Sequence, residues 1–209
     1  MSAIRAVCFD AFGTVVEITD KRRPFRALQI EQPGASGARD ALIKPLSLRD
    51  IAVSVGEARL GELELDLAAE CDSIRLRQGM DLIWASLRSL DLKIGVCSNL
   101  AAPYERPLLA CLPGIPDALV LSFRVGLIKP QPEIYRLVCV QLQLMPSQVL
   151  FVGDTLEADV VGPRVAGLFA ISIEEFDAVF SKGHAASLLP PVAELFDRLR
   201  SKCAAWAEG

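Results

Sequence analysis

Residues 4–14 read IRAVCFDAFGT. The stretch from Ile4 to Phe9 is apolar except for Arg5, and it closes on Asp10. AFGT follows, in which Gly13 permits a tight turn and Thr14 supplies a hydroxyl. A short, mostly continuous apolar run is how a strand reads when both of its faces are buried, as in a parallel sheet covered by helices. Four more runs of the same kind follow: LKIGVCSN (Leu92–Asn99), DALVLSF (Asp117–Phe123), QVLFVGD (Gln148–Asp154) and GLFAISI (Gly167–Ile173). Helical patterning lies between and after them. Met80–Leu90 carries Leu82, Ile83, Leu87 and Leu90, and Pro132–Leu144 opens with Pro132 and Glu133, which suit a first turn. Glu157–Ala166 stops at Gly167 and should bend at Pro163, and Pro190–Arg200 makes a terminal helix. The alternation of β and α predicts an α/β fold with a doubly wound parallel sheet, Rossmann-like in its core.

Residues 17–79 break the alternation. No strand-like run is visible there. Charged amphipathic stretches (Lys21–Gln32, Ala38–Lys44, Leu48–Val55, Glu62–Arg75) are separated by QPGASG and by Gly56 and Gly61. The expected division is an α/β core of residues 1–16 and 80–209 with a small helical cap of residues 17–79 inserted after the first strand. A chain of 209 residues is long enough for such a core plus a modest insertion.

Composition narrows the function classes. Hydrophobic residues make up 52% and charged residues 23%, a globular balance. The net charge is −4, from 22 basic and 26 acidic side chains, so no general attraction for nucleic acid or anionic lipid is expected. An anionic substrate must therefore be captured locally. No apolar run approaches the ~20 residues of a membrane helix, and MSAIRAVCFDAFGT does not read as a signal peptide. The six cysteines (Cys8, Cys71, Cys97, Cys111, Cys139, Cys203) are scattered without a C-x-x-C pair, which suits reduced thiols in a cytoplasmic protein. His184, the only histidine, reads as a loop residue, and Trp84 and Trp206 read as helix packing.

In an open α/β sheet, ligands bind beyond the carboxyl ends of the strands. Polar residues follow several of these runs: Asp10, Ser98–Asn99 and Asp154, with Lys129 on the loop after the third run. A carboxylate such as Asp10 can attack phosphorus or carbon and form a covalent ester or acyl phosphate. If the first and fourth strands lie near the centre of the sheet, Asp10 and Asp154 face one cleft, with Asp159 five residues further on. Close carboxylates repel and call for a cation, and hard oxygen ligands favour Mg²⁺. The hydroxyl of Ser98 and nearby backbone N–H groups can hold a substrate oxygen, and the Lys129 ammonium can neutralise a phosphoryl group. Taken singly, each of these residues also fits a turn, a helix cap or a solvated loop.

Taken in order, VCFDAFGTV, VCSNL, GLIKPQPEIY and VGDTLEADVVGPRVAG resemble the four motifs of the haloacid dehalogenase superfamily, over roughly residues 4–16 and 80–175. The helical insertion resembles the cap many members carry after their first motif. The resemblance implies a hydrolase with Asp10 as nucleophile and Mg²⁺ ligand and the backbone carbonyl of Phe12 as a second ligand. It implies that Thr14, Ser98 and Asn99 position the transferred group, and that Lys129 neutralises charge. Asp154 is then a direct metal ligand, and Asp159 an outer partner of metal or lysine. The expected substrate is a small, phosphorylated metabolite that enters between core and cap.

Two departures pull apart. Phosphatases of this superfamily typically read Asp-x-Asp in the first motif, and the second Asp serves as general acid and base; here Phe12 stands in its place. An aromatic residue there is similar to 2-haloacid dehalogenases, which need no metal, and Tyr135 fits that comparison. Those enzymes usually lack the acidic pair that Asp154 and Asp159 supply here. Arg22, Arg23, Arg26 and Arg39 are candidates by location for the carboxylate-binding arginine of the dehalogenase cap, and Lys21 or Lys44 for an imine-forming lysine of a phosphonate hydrolase. Mg²⁺-dependent phosphoryl hydrolysis is the leading expectation. C–halogen hydrolysis without metal and a non-catalytic binding role are the alternatives. The oligomeric state is not legible.

Overall fold

The structure, a computed structural model, describes residues 3–32, 37–182 and 188–207. The readings of His184 and of the Trp206 and Cys203 side chains fall outside the described residues and side chains.

The five apolar runs become five strands: β1 (Ala6–Phe9), β4 (Lys93–Ser98), β5 (Ala118–Leu121), β6 (Val149–Gly153) and β7 (Phe169–Ser172). They form one sheet in the order β5-β4-β1-β6-β7, with every pairing parallel. Alternate side chains feed two apolar layers. Val7 and Phe9 of β1 join Ile83, Trp84 and Phe176 from helices Met80–Ser89 and Ile173–Lys182. Ala6 and Cys8 face the other way, toward Ile134, Tyr135 and Val138 of helix Pro132–Leu142. This double burial explains why the strands read as continuous rather than alternating. The thiols of Cys8 and Cys97 are fully buried, and burial pushes both up, Cys97 to about 12, so neither is a nucleophile.

The chain goes from β1 to β4 and β5 on one side, then crosses to β6 and β7 on the other. The strand order therefore reverses at β1, the switch point where such sheets open a crevice. Asp10 stands directly at that point.

The intervening segment departs from its sequence reading in two ways. Strands do occur there: β2 (Val16–Ile18) pairs antiparallel with β3 (Ile74–Leu76). At three residues each, they are too short to leave a pattern in the sequence. Gly61 does not separate two helices but lies within one, Glu57–Asp72, which is longer at its start than the expected Glu62–Arg75. Leu60 and Leu63 on one face hold that helix, and nothing lies within 4 Å of the position a Cβ on Gly61 would take. With Leu28, Ala41, Leu48 and Ile51 they make a third apolar cluster, closed on the core side by Ala101 and Tyr104.

The expected helix over 157–166 is also corrected. Residues Leu156–Val161 form a wide, π-helical turn, and a normal helix begins only at Gly162–Val165. Pro163 sits in the first turn of that helix, where a missing N–H costs nothing, rather than bending a continuous one. No helix of the described residues is long and apolar enough to cross a membrane.

Candidate active site

Three loops converge on the carboxyl end of β1. Asp10 follows Phe9 directly, and its own N–H donates to the carbonyl of Val152 at 2.8 Å, which ties it to the neighbouring strand β6. Its side chain is buried, and its Oδ1 accepts from Lys129 Nζ at 2.6 Å. The same ammonium donates to Asp159 Oδ1 at 2.6 Å and lies over the Phe151 ring, 5.3 Å from its centroid. Lys129 is 5% exposed, so a long cationic chain has been brought almost wholly inside, which is tolerable only because both carboxylates meet it. Burial draws its ammonium down, but Asp10, Cys97 and Asp159 outweigh that and hold it protonated. On Asp10 burial dominates in the other direction: despite Lys129, its carboxyl is raised to about 6, with Asp159 and Asp154 adding to the rise.

Lys129 reaches this position because its loop is clasped. The Asn99 carboxamide, just past β4, accepts from Lys129 N at 2.8 Å and donates to the Lys129 carbonyl at 2.9 Å. The Asn99 carboxamide thus holds the lysine loop, and Asn99 also lines the cleft, where the sequence expects it to meet substrate. Ser98 ends β4 and is fully buried. Thr14 is likewise buried, and its Oγ1 has no hydrogen-bond partner in the structure. An unmet buried hydroxyl costs about 1–3 kcal/mol.

The wide turn after β6 sets the acidic residues. Asp159 Oδ2 accepts from Thr155 N at 2.9 Å, so both of its oxygens are engaged. Asp154 is exposed, and its Oδ1 accepts from Thr155 Oγ1 at 3.1 Å. The backbone of Gly13, at φ +87°, passes so close that a Cβ there would lie 2.2 Å from Asp154 Oδ2. At Gly153 a Cβ would lie 2.4 Å from Asp159 Cγ. The two glycines are what let the acidic side chains close over the end of β1.

Carboxylate oxygens of Asp10, Asp154 and Asp159 lie within 4.8 Å of one another. Three carboxylates and one ammonium leave two negative charges, which a divalent cation matches, and all three donors are the hard oxygens that Mg²⁺ takes. Both Asp159 oxygens are taken by Lys129 and Thr155, so Asp10 and Asp154 are the carboxylates with more oxygen left to offer a metal. A cation there would also favour the ionised form of Asp10 against its burial.

A cleft of about 580 Å³ is lined in part by Phe12, two residues past Asp10, and by Asn99, which clasps the Lys129 loop. Phe12, Phe25 and Tyr104 make an aromatic wall: Phe12 meets Tyr104 edge-on at 5.9 Å, and Phe25 lies 6.0 Å from Tyr104. Arg23, Arg26 and Arg39 line the cleft, and none has an ion-pair partner among the described residues. The fourth candidate, Arg22, pairs instead with Asp20 and Asp66. Neither Lys21 nor Lys44 lines the cleft, and Lys44 pairs with Asp40. Tyr135 is not a cleft residue either: its hydroxyl donates to the Ala158 carbonyl at 2.5 Å, bracing the wide turn from behind.

Two further residues escape sequence reading. Glu70, 4% exposed, accepts from the backbone N–H groups of Arg22 and Arg23, both at 2.6 Å, and from Tyr104 Oη at 2.8 Å. It thereby joins the inserted helices to the cleft wall. Arg77 donates through Nε to the Thr14 carbonyl at 2.6 Å and through its fork to Asp177. No local pattern marks either residue, since their partners are distant in sequence.

The chain is 27% identical over 180 residues to N-acetylmuramic acid 6-phosphate phosphatase of Pseudomonas putida, covering 78% of this chain and 80% of that one. Among solved structures, the HAD family enzyme bt-2542 of Bacteroides thetaiotaomicron superposes with TM-score 0.63 at 18% identity, over 87% of this chain and all of the other. CbbY of Rhodobacter sphaeroides, solved with phosphate, gives TM-score 0.57 at 22% identity, over 81% of this chain and 85% of that one. The profile of haloacid dehalogenase-like hydrolases matches residues 4–167, from the first strand through the wide turn that carries Asp159. That span holds every residue of the acidic cluster, and the chain belongs to the haloacid dehalogenase-like hydrolase family.

Proposed function

We propose that this protein is a Mg²⁺-dependent phosphohydrolase acting on a small phosphorylated metabolite, with Asp10 as nucleophile. The observation that carries the reading is the cluster at the switch point: a buried carboxylate bonded to a buried lysine and faced by two more carboxylates. In this reading Asp10 and Asp154 would hold the metal with the Phe12 carbonyl, and the metal would supply charge neutralisation for the phosphoryl oxygens. Asp10 attacks phosphorus, and Lys129 offsets the charge of nucleophile and phosphoryl group. Thr14 and Ser98 hold transferred-group oxygens, and Asn99 keeps the lysine loop in place. Asp159 orients Lys129 and would support the metal from outside its direct ligands. The unmet Thr14 hydroxyl and the two uncompensated negative charges support this assignment.

The phosphatase names of the relatives agree with it, as does a second structure of the Bacteroides enzyme solved with magnesium and inorganic phosphate. The division into core and cap belongs to the same reading, with substrate entering between them. So does a cytoplasmic setting, which suits the free, buried thiols of Cys8, Cys97 and Cys139. The test is hydrolysis of 4-nitrophenyl phosphate with Mg²⁺ and with EDTA, beside Asp10→Asn. Turnover that needs both Mg²⁺ and Asp10 is expected. Silence in every condition overturns the reading.

A second reading, C–halogen hydrolysis of a 2-haloacid without metal, draws on Phe12 and on the three cleft arginines, any of which could bind a substrate carboxylate. Halide release in EDTA would favour it.

A further inference from the structure

Among the described residues, the cleft that begins at Phe12 and Asn99 offers no side chain able to hand a proton to a departing oxygen. Its titratable lining among the described residues is Arg23, Arg26, Arg39 and Tyr104; the rest is apolar, aromatic or carboxamide. Arginine does not deprotonate in proteins. The Tyr104 hydroxyl is already donated to Glu70 Oε1 at 2.8 Å. Phe12, two residues beyond the nucleophile, fills the wall with a ring packed edge-on against Tyr104. Lys129 is committed to Asp10 and Asp159, each at 2.6 Å. Among the described residues the cleft wall is thus aromatic and cationic but not acidic.

Resting on the phosphohydrolase reading, we infer that the site is selective for phosphoryl compounds whose leaving group departs as a stable anion without being protonated, an acyl or aryl phosphate rather than an alkyl one. In the first step an Asp10 oxygen forms a bond to phosphorus. The bond from phosphorus to the leaving oxygen breaks, and its electron pair stays on that oxygen as carboxylate or phenolate. In the second step water attacks the aspartyl phosphate, the bond from phosphorus to Asp10 breaks, and the carboxylate is restored. The water's protons leave with the product as dihydrogen phosphate. The sum is RO–PO₃²⁻ + H₂O → RO⁻ + H₂PO₄⁻, balanced without an acid from the protein.

The test compares kcat/KM for 4-nitrophenyl, phenyl and benzyl phosphate with the full chain and Mg²⁺, and with Asp10→Asn as control. The three are similar in size and differ in the acidity of the leaving alcohol. The ratio kcat/KM reads binding and the first cleavage, so the shared second step does not mask the series. The expected result is a steep fall in that order, with at least ~10²-fold between the first and the last, because protonation by a general acid is typically worth ~10²–10⁴-fold. Asp10-dependent rates that stay within about tenfold across the series would overturn the inference and leave the phosphohydrolase standing. No Asp10-dependent turnover even of 4-nitrophenyl phosphate would overturn both.

Discussion

On the core side of the cleft, Asp10, Lys129 and Asp159 are buried, charged and joined by bonds of 2.6 Å. On the cap side Arg23, Arg26 and Arg39 are exposed, lack ion-pair partners among the described residues and stand beside an aromatic wall. The core wall is anchored on central strands and pays for its buried charge with mutual hydrogen bonds. The cap wall is carried by short helices over a small apolar cluster of their own. Under the proposed function, the contrast would put bond breaking in the core, where geometry is held by buried hydrogen bonds, and leaving-group recognition in the cap, where the arginines lack ion-pair partners among the described residues.

The sharpest way to break this comparison is at its core end. Asp10→Asn should abolish turnover, by on the order of 10³-fold or more, since the nucleophile and a metal ligand go together. Steady-state hydrolysis of 4-nitrophenyl phosphate reads it, and residual activity above a tenth of the wild type would contradict the role of Asp10. Lys129→Met should reduce kcat by roughly 10²–10³-fold. It should also lower stability by about 3–5 kcal/mol, because two buried carboxylates lose their partner. Urea denaturation measures the second effect, and an unchanged midpoint would mean the buried triad is not held as described.

Phe12→Asp probes the boundary between the two walls. Placing a carboxyl there should raise kcat/KM for benzyl phosphate by at least ~10²-fold, the low end of general-acid assistance. No gain in a variant with a wild-type melting curve would count against Phe12 facing the leaving group. Metal binding gives a smaller, purely thermodynamic signal. Mg²⁺ at 100 times its dissociation constant should stabilise the protein by about 2.7 kcal/mol. That rise in Tm should vanish in Asp154→Asn and on adding EDTA; a shift that survives Asp154→Asn would place the ion elsewhere. Smallest is the clasp between cap and wall. Tyr104→Phe removes one hydrogen bond to the buried Glu70 carboxylate and should cost about 1.5–3 kcal/mol, read by chemical denaturation, with kcat/KM moving far less than in the core variants.

The sequence by itself determined the five strands of the main sheet and the residues that end them. Burial on both faces leaves a continuous apolar run, and a polar residue at its end needs no partner to be visible. Asp10, Ser98, Asn99, Lys129, Asp154 and Asp159 were therefore all legible as candidates. The short ribbon of β2 and β3 was not, because three-residue strands pair across more than fifty positions without a local pattern. Nor was the wide turn at 156–161, whose shape is set by Tyr135 and Lys129 bonding to it from another loop and helix. Only the tertiary structure showed that Asn99 holds the lysine loop, that Arg22 turns away while three other arginines face the cleft, and that Glu70 ties cap to core. Local sequence encodes burial and chain direction; it does not encode which distant group meets a given side chain, and in this site those meetings set the charge and the reach of every polar residue.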